Sequence, residues 1–160
     1  MTARPATETD AAAIAAIYNE GIEDGIATFE TRPRTADDIR AWLGTRFPVM
    51  VVDDGTGRVI SFASSSPYRA RECYAGIAEF SVYTARESRG RGAGHAALSA
   101  LMEEARGAGF WKLVSRVFVE NEASRALLRR LGFREVGTYE RHARLHGTWR
   151  DVVIVERLLG

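Results

Sequence analysis

Ser88-Arg89-Gly90-Arg91-Gly92-Ala93-Gly94-His95 stands between an apolar run, Phe80-Ser81-Val82-Tyr83, and a segment from about Ala93 to Ala108. That segment carries Leu98, Leu101, Met102 and Ala105 at helical spacing. A strand that turns through glycines into a helix aims consecutive backbone N–H groups, and the positive end of the helix dipole, at one point. Such a turn is a cradle for a phosphate or pyrophosphate. The Walker loop does not fit, because no Gly-Lys-Ser/Thr follows the glycines, and a dinucleotide fingerprint needs its third glycine where His95 stands. A glycine-rich turn without a ligand is the plain alternative. An RGG-type RNA segment fits less well, because such segments are disordered and regular elements bracket this one.

Outward from the turn, the chain alternates between the two periodicities. A short N-terminal strand precedes a helical pattern from Asp10 with Ile14, Ile17, Tyr18 and Ile22 on one face, and Thr35-Ala36-Asp37-Asp38 resembles a capping box that opens a second helix with Ile39, Trp42 and Leu43 inward. Val49 to Val52 and Arg58 to Ser64 read as a hairpin around Asp53-Asp54-Gly55-Thr56-Gly57, and Pro67 to Gly76 as a loop. Lys112 to Val119 reads as a strand. Asn121 then caps a helix with Ala123, Leu127, Leu128 and Leu131 inward, ended by Gly132, and strands near Phe133 to Gly137 and Asp151 to Leu158 finish the chain. The order β-α-α-β-β-β-α-β-α-β-β predicts an α/β (α+β) fold, a mixed sheet with helices on both faces.

The chain has 160 residues, 46% of them hydrophobic, which suits one domain over 1–160 with a full core. No repeat or low-complexity linker divides it. A formal charge of +1 excludes the broad positive surface of a nucleic-acid binder. Lys112 is the only lysine, so the positive charge is almost all arginine, the side chain that forks onto carboxylates and phosphates; a GC-rich genome accounts for the bias equally well. Cys73 is the only cysteine, so no intrachain disulfide or Cys/His zinc cluster is expected, which fits a reducing cytoplasm. No export signal or membrane span is read in the sequence, and no membrane partner is expected.

Arg89-x-x-Gly92-x-Gly94, with Val82-Tyr83-Thr84 before it and Asn121-x-x-Ser124 and Leu131-Gly132-Phe133 after it, resembles the acyl-CoA motifs of the GNAT superfamily of N-acetyltransferases. Pro67-Tyr68-Arg69-Ala70-Arg71, Tyr74, Glu79-x-x-Val82-Tyr83, Ile26 to Thr31 and His146-Gly147-x-Trp149-x-Asp151-Val152 narrow the resemblance to the phosphinothricin acetyltransferases. Within that group the likeness is nearest to the arsinothricin-resistance members. The resemblance implies the GNAT fold, a central mixed and mostly antiparallel twisted sheet, and transfer of acetyl from acetyl-CoA to the amine of a small amino-acid-like substrate. It also implies a homodimer; Val152 to Val155 would serve an interface, or equally a core strand.

The resemblance further implies site roles. Backbone N–H groups of Arg89, Gly90, Arg91, Gly92, Ala93, Gly94 and His95 would hold the CoA pyrophosphate, and the edge of Ser81 to Thr84 would pair with the pantetheine arm. An N–H at Val82 or Tyr83 would stabilise the oxyanion. Asn121 would bond the arm, and Ser124 or Tyr83 would serve the departing sulfur. Leu128 stands where relatives often carry Tyr or His, so a proton donor at that position is absent. Glu79 is the candidate base, expected to need burial or a water relay because a carboxylate is weakly basic; an ion pair with a neighbouring arginine is its plain alternative.

Arg69, Arg71 and Tyr74 suit a small doubly anionic substrate, with Phe29 lining the same pocket; solvated arginines and core packing of Phe29 are the competing readings. Cys73 has no histidine placed to activate it and reads as a passive thiol. His142 and His146 would chelate a metal only on a helix, which Gly147 disfavours, so no metal is expected. Acetylation of protein N-termini or lysines, and a non-catalytic CoA-sensing module, are the alternatives to small-molecule acetylation.

Overall fold

The computed structural model describes residues 1–160. Its elements are β1 (Thr2–Pro5), α1 (Ala11–Asp24), α2 (Ala36–Arg40), β2 (Val49–Asp53), β3 (Val59–Pro67), β4 (Ile77–Thr84), α3 (Ala93–Gly107), β5 (Lys112–Phe118), α4 (Glu122–Arg130), β6 (Arg134–Leu145) and β7 (Thr148–Leu158). This is the order read from the periodicities. The strands form one seven-stranded sheet, β1-β2-β3-β4-β5-β7-β6, antiparallel throughout except for β4 beside β5.

Alternation along the strands divides the core between the two faces. Met50, Val52, Ile60, Ala63, Ala78, Phe80, Leu113 and Val117 bury against Leu98, Leu101 and Ala105 of α3 and Leu128 of α4. Val49, Val51, Val59 and Phe62 point the other way, onto Ile14, Ile17 and Tyr18 of α1 and Ile39 of α2. The capping box at α2 forms as read, with Asp38 N–H donating to Thr35 Oγ1 at 3.2 Å and Thr35 N–H to Asp38 Oδ2 at 2.8 Å. No helix is long and apolar enough to cross a membrane.

Two details depart from the sequence reading. The terminal hairpin is longer than the strands near Phe133 to Gly137 and Asp151 to Leu158, because both arms continue to a turn at His146 and Gly147, where φ is 50° and 79°. The added arms are exposed and charged, so they lack the apolar alternation that marks a half-buried strand. In α4 only Leu128 is buried, and Ala123 is exposed, because the start of this helix overlies a place where no strand lies beneath it. Val152, Val153 and Val155 are core residues of β7, whose two edges are both taken, by β5 and β6.

Asp10 joins β1 to α1. Arg4 forks onto its two oxygens at 2.8 and 3.0 Å, and the Thr7 N–H donates to it at 2.8 Å. The Arg4 hydrogen bond, opposed by burial and helped by Thr7, holds the Asp10 carboxyl below its ordinary value of 3.8. The unfolded chain therefore takes up this proton at a higher pH than the folded one. The stability Asp10 contributes is complete above the ordinary carboxylate range and is lost as pH falls through the lowered folded value. Asp10→Asn should destabilise the protein at pH 7 and flatten the loss of stability as pH falls through and below the ordinary carboxylate range. Urea midpoints across that range test this; equal slopes in the two proteins would contradict it.

Candidate active site

Strands β4 and β5 pair only at Ile77 with Lys112, Ala78 with Leu113 and Glu79 with Val114, and then separate. β3 stays paired with β4 as far as Thr84 opposite Ser61. One edge of β4 beyond Glu79 is therefore left without a strand partner. Within a strand, neighbouring residues present their N–H and C=O to opposite edges. Phe80 O accepts the Ser115 hydroxyl at 2.9 Å on the β5 side, and Tyr83 O accepts the Ser61 hydroxyl at 2.8 Å on the β3 side. The Val82 and Thr84 peptide groups thus face the gap.

A cavity of about 510 Å³ opens along this edge, floored by Val82 to Thr84 and walled by Gly90, Gly92 to His95, Asn121, Ser124 and Leu127. Gly90 and Gly92 have φ of 80° and 85°, conformations in which L side chains are strained. The first intrahelical bond of α3 runs from Ala96 N–H to Gly92 O, and no side chain caps the helix. The N–H groups of Ala93, Gly94 and His95 are orphan donors at the positive end of a helix dipole. α4 opens on the same cavity. Asn121 caps it by accepting the Ser124 N–H at 3.2 Å, and its Nδ2 donates to Ile26 O at 3.3 Å, tying the α1–α2 connection to the rim.

Arg89 is turned onto protein groups. Its Nη1 lies 2.7 Å from Asp24 Oδ2, close as charges but not aligned as a hydrogen bond, and its Nε donates to Thr84 O at 3.3 Å. Asp24 also accepts from Arg86 at 2.9 Å; burial acts to raise its carboxyl, but the two arginines outweigh it and hold the group below its ordinary value. Arg91 is exposed and does not line the cavity. His95 does, with Nδ1 3.5 Å from Ser99 Oγ.

Across the gap lies a second cavity, of about 350 Å³, lined by Tyr68, Arg69, Tyr74, Glu79, Ser115, Arg116 and Tyr139 among others. A third, small cavity of about 50 Å³, called the passage below, lies between β4 and β5, between the two spaces. It shares Val82, Tyr83, Asn121 and Ser124 with the first cavity and Ser115 and Arg116 with the second, and Ser81 lines it. Glu79 Oε1 is 3.4 Å from Arg116 Nη2. Arg69 lies over the Tyr68 ring at 5.0 Å, whereas Arg71 lines neither cavity. Phe29 packs edge-on against Phe118 at 4.7 Å, with His142 beyond it at 6.5 Å.

Tyr83 lies beneath the unpaired edge of β4, wedged between Tyr18 and Phe62. Burial first, and then Tyr18, raise its phenol well above the ordinary value, so it keeps its proton at neutral pH. Leu128 is buried in the core and carries no exchangeable proton. Cys73 is exposed, and no group of three or more metal-ligating side chains occurs.

Sequence reasoning does not place Arg116 or Tyr139 at the site, and it considers His142 only as a metal ligand. Arg116 had a signal, a charged residue inside the apolar strand Leu113 to Phe118. The other two had none, because β6 bulges between Tyr139 and Ala143, and this irregularity brings His142 Nε2 to 3.4 Å from Arg116 Nη1.

Residues 1–134 match the family model described as Acetyltransferase (GNAT) domain. An L-methionine sulfoximine/L-methionine sulfone acetyltransferase of Pseudomonas aeruginosa is 34% identical over 157 residues, 96% of this chain and 91% of that one. A phosphinothricin N-acetyltransferase of Streptomyces coelicolor is 33% identical over 98% of this chain and 95% of its own. The crystal structure of a GNAT superfamily phosphinothricin acetyltransferase from Sinorhizobium meliloti in complex with AcCoA superposes with a TM-score of 0.92 at 33% identity, covering 99% of this chain and 88% of that one.

Proposed function

Because the chain belongs to the GNAT acetyltransferase family, we propose that it acts as one catalytic unit and acetylates the α-amine of a small, acidic amino acid. Phosphinothricin and arsinothricin, which carry a second acid group, fit the description, and methionine sulfone and sulfoximine are their analogues with uncharged polar side chains. The observation that carries the reading is the pair of cavities meeting in the gap between β4 and β5, one rimmed by orphan amides and the other lined by arginines and one available carboxylate.

Acetyl-CoA, when bound, supplies an acyl group activated as a thioester with a thiolate as its leaving group. The residues present fit it. The free N–H groups at the start of α3 suit its pyrophosphate, with Arg89 adding charge once it leaves Asp24. The unpaired edge at Val82 and Thr84 suits a chain of amide groups laid alongside it as another strand would be. Of the two N–H groups expected to serve the oxyanion, alternation along β4 favours Val82, because Tyr83 presents its peptide group to β3.

The amine reacts only after losing a proton. Glu79 lines the arginine-bearing cavity, and its side chain, 33% exposed, is within reach of solvent, which supports transfer of that proton through water. The Ser124 hydroxyl, in the first turn at the positive end of α4, borders the passage and suits a hydrogen bond to a departing thiolate, whereas Tyr83, whose phenol burial makes a weaker acid than a thiol, keeps its proton. Arg69 is without a carboxylate partner and suits an acid group on the substrate's side chain.

A thiol-release assay with acetyl-CoA tests the reading. Phosphinothricin, arsinothricin, methionine sulfone and methionine sulfoximine should release CoA and a peptide amine should not. Release with the peptide alone would reassign the protein to N-terminal or lysine acetylation, and silence with every amine would overturn acetyl transfer.

A further inference from the structure

We propose that Arg116 receives the α-carboxylate of the amino-acid substrate, giving up Glu79 in exchange, so that binding itself frees Glu79 to accept the ammonium proton. The inference rests on the amino-acid acetylation read above. Lys112, Val114 and Arg116 alternate along β5 with the buried Leu113 and Val117, and so share the face opposite α3. Glu79, the register partner of Val114, stands on that face too.

The charges of this cavity differ in how firmly they are held. Lys112 donates to Glu156 at 3.0 Å, and Glu156 also accepts from Arg134, so that carboxylate is committed to two cations. Arg69 has no carboxylate. Arg116 has only Glu79, at 3.4 Å, in a pair whose side chains are 49% and 33% exposed. An exposed pair at that distance contributes little and is readily exchanged. Arg69, Lys112 and Arg116 against Glu79 and Glu156 leave the cavity one positive charge in excess, the complement of an amino acid with a second acid group.

Position makes Arg116, rather than Arg69, the carboxylate site. Arg116 lines both the cavity and the passage to the acyl edge, whereas Arg69 lines the cavity alone. The α-carboxylate and α-amine of an amino acid share one carbon, so a carboxylate held at Arg116 fixes the amine at the mouth of the passage and beside Glu79. His142 Nε2, 3.4 Å from Nη1, and the Tyr139 ring stacked on His142 at 4.9 Å support the far edge of the guanidinium and leave its other donors toward the cavity. The proton then moves from the ammonium to the carboxylate that Arg116 has released, directly or through one water.

Isothermal titration with phosphinothricin and L-methionine sulfone, and with the α-carboxamide of each, tests the exchange in the presence of CoA. Arg116→Gln should weaken binding of the acids about 10- to 100-fold, the range for a lost hydrogen bond to a charged group, and leave the carboxamides unchanged. Glu79→Gln should act in the opposite direction, tightening the acids by about 3- to 10-fold because the competing carboxylate is gone. In the double variant that tightening should vanish. A purely structural role for Arg116 would weaken acids and carboxamides alike. An unaltered acid-to-carboxamide ratio in Arg116→Gln, weaker acid binding in Glu79→Gln, or a wild-type protein that binds neither acid would overturn the assignment. Failure of the amino-acid reading shows separately, as absence of CoA release from the wild-type protein with every amino acid.

Discussion

Glu79→Gln should lower kcat by about 10²- to 10³-fold, the lower part of the range for a positioned general base, while the affinity for acetyl-CoA stays unchanged. The amide is nearly isosteric, so the strand and its pairing with Val114 are kept, and what is removed is the ability to take a proton. Glu79 lies at the last position of β4 that pairs with β5, on the cavity that Arg69 and Arg116 line and away from the orphan amides of α3. The proposed function assigns acetyl-CoA binding and proton transfer to separate groups, and the variant should divide them. Steady-state kinetics at saturating concentrations of both substrates, with titration of acetyl-CoA, measures both quantities. Unchanged turnover would remove Glu79 from the mechanism and leave it as the ion-pair partner of Arg116.

Gly94→Val is expected to raise the KM for acetyl-CoA by about 10- to 100-fold, the equivalent of one or more hydrogen bonds to a charged group. A Cβ at Gly94 would lie 3.2 Å from Thr84 Oγ1, 3.5 Å from Leu127 Cδ2 and 3.9 Å from Val82 Cγ2. Neither β4 nor α4 can yield easily. Thr84 Oγ1 is 3.0 Å from the buried Ser61 hydroxyl, and Leu127 belongs to α4, the helix that Asn121 caps. The branched side chain therefore has to push the first turn of α3 outward, taking the Ala93, Gly94 and His95 amides with it. Overpacking of this kind also costs about 1–3 kcal/mol of stability. Gly107, in the same helix but with open space around it, provides the control, since Gly107→Ala should leave the KM alone. Equal KM values in wild type and Gly94→Val would show that the cradle does not depend on the close approach of α3.

The glycine turn that opens α3 was legible from local chemistry alone. Glycines at positions 90, 92 and 94 between an apolar strand and a helical pattern leave few backbone arrangements, and the alternation of strands and helices around them gives the layers. The other side of the gap was legible only in part. Glu79 was singled out, and so was the ion pair that competes with its catalytic role, but the arginine in that pair was read as one more strand residue. Arg69 and Arg71 looked equivalent because they stand two apart in one loop, yet the bends and the short helical turn at Glu72–Tyr74 leave only Arg69 on the cavity.

Sequence by itself determined the order of elements, the apolar faces and the glycine turn at the start of α3, because each depends on residues within a few positions of one another. Tertiary structure alone decided where β4 and β5 part, which peptide groups they leave unpaired, and that Glu79, Arg116 and His142 meet. Those three residues come from separate strands, at 79, 116 and 142. Only strand register and the bulge in β6 bring them together, and neither is encoded in any single segment.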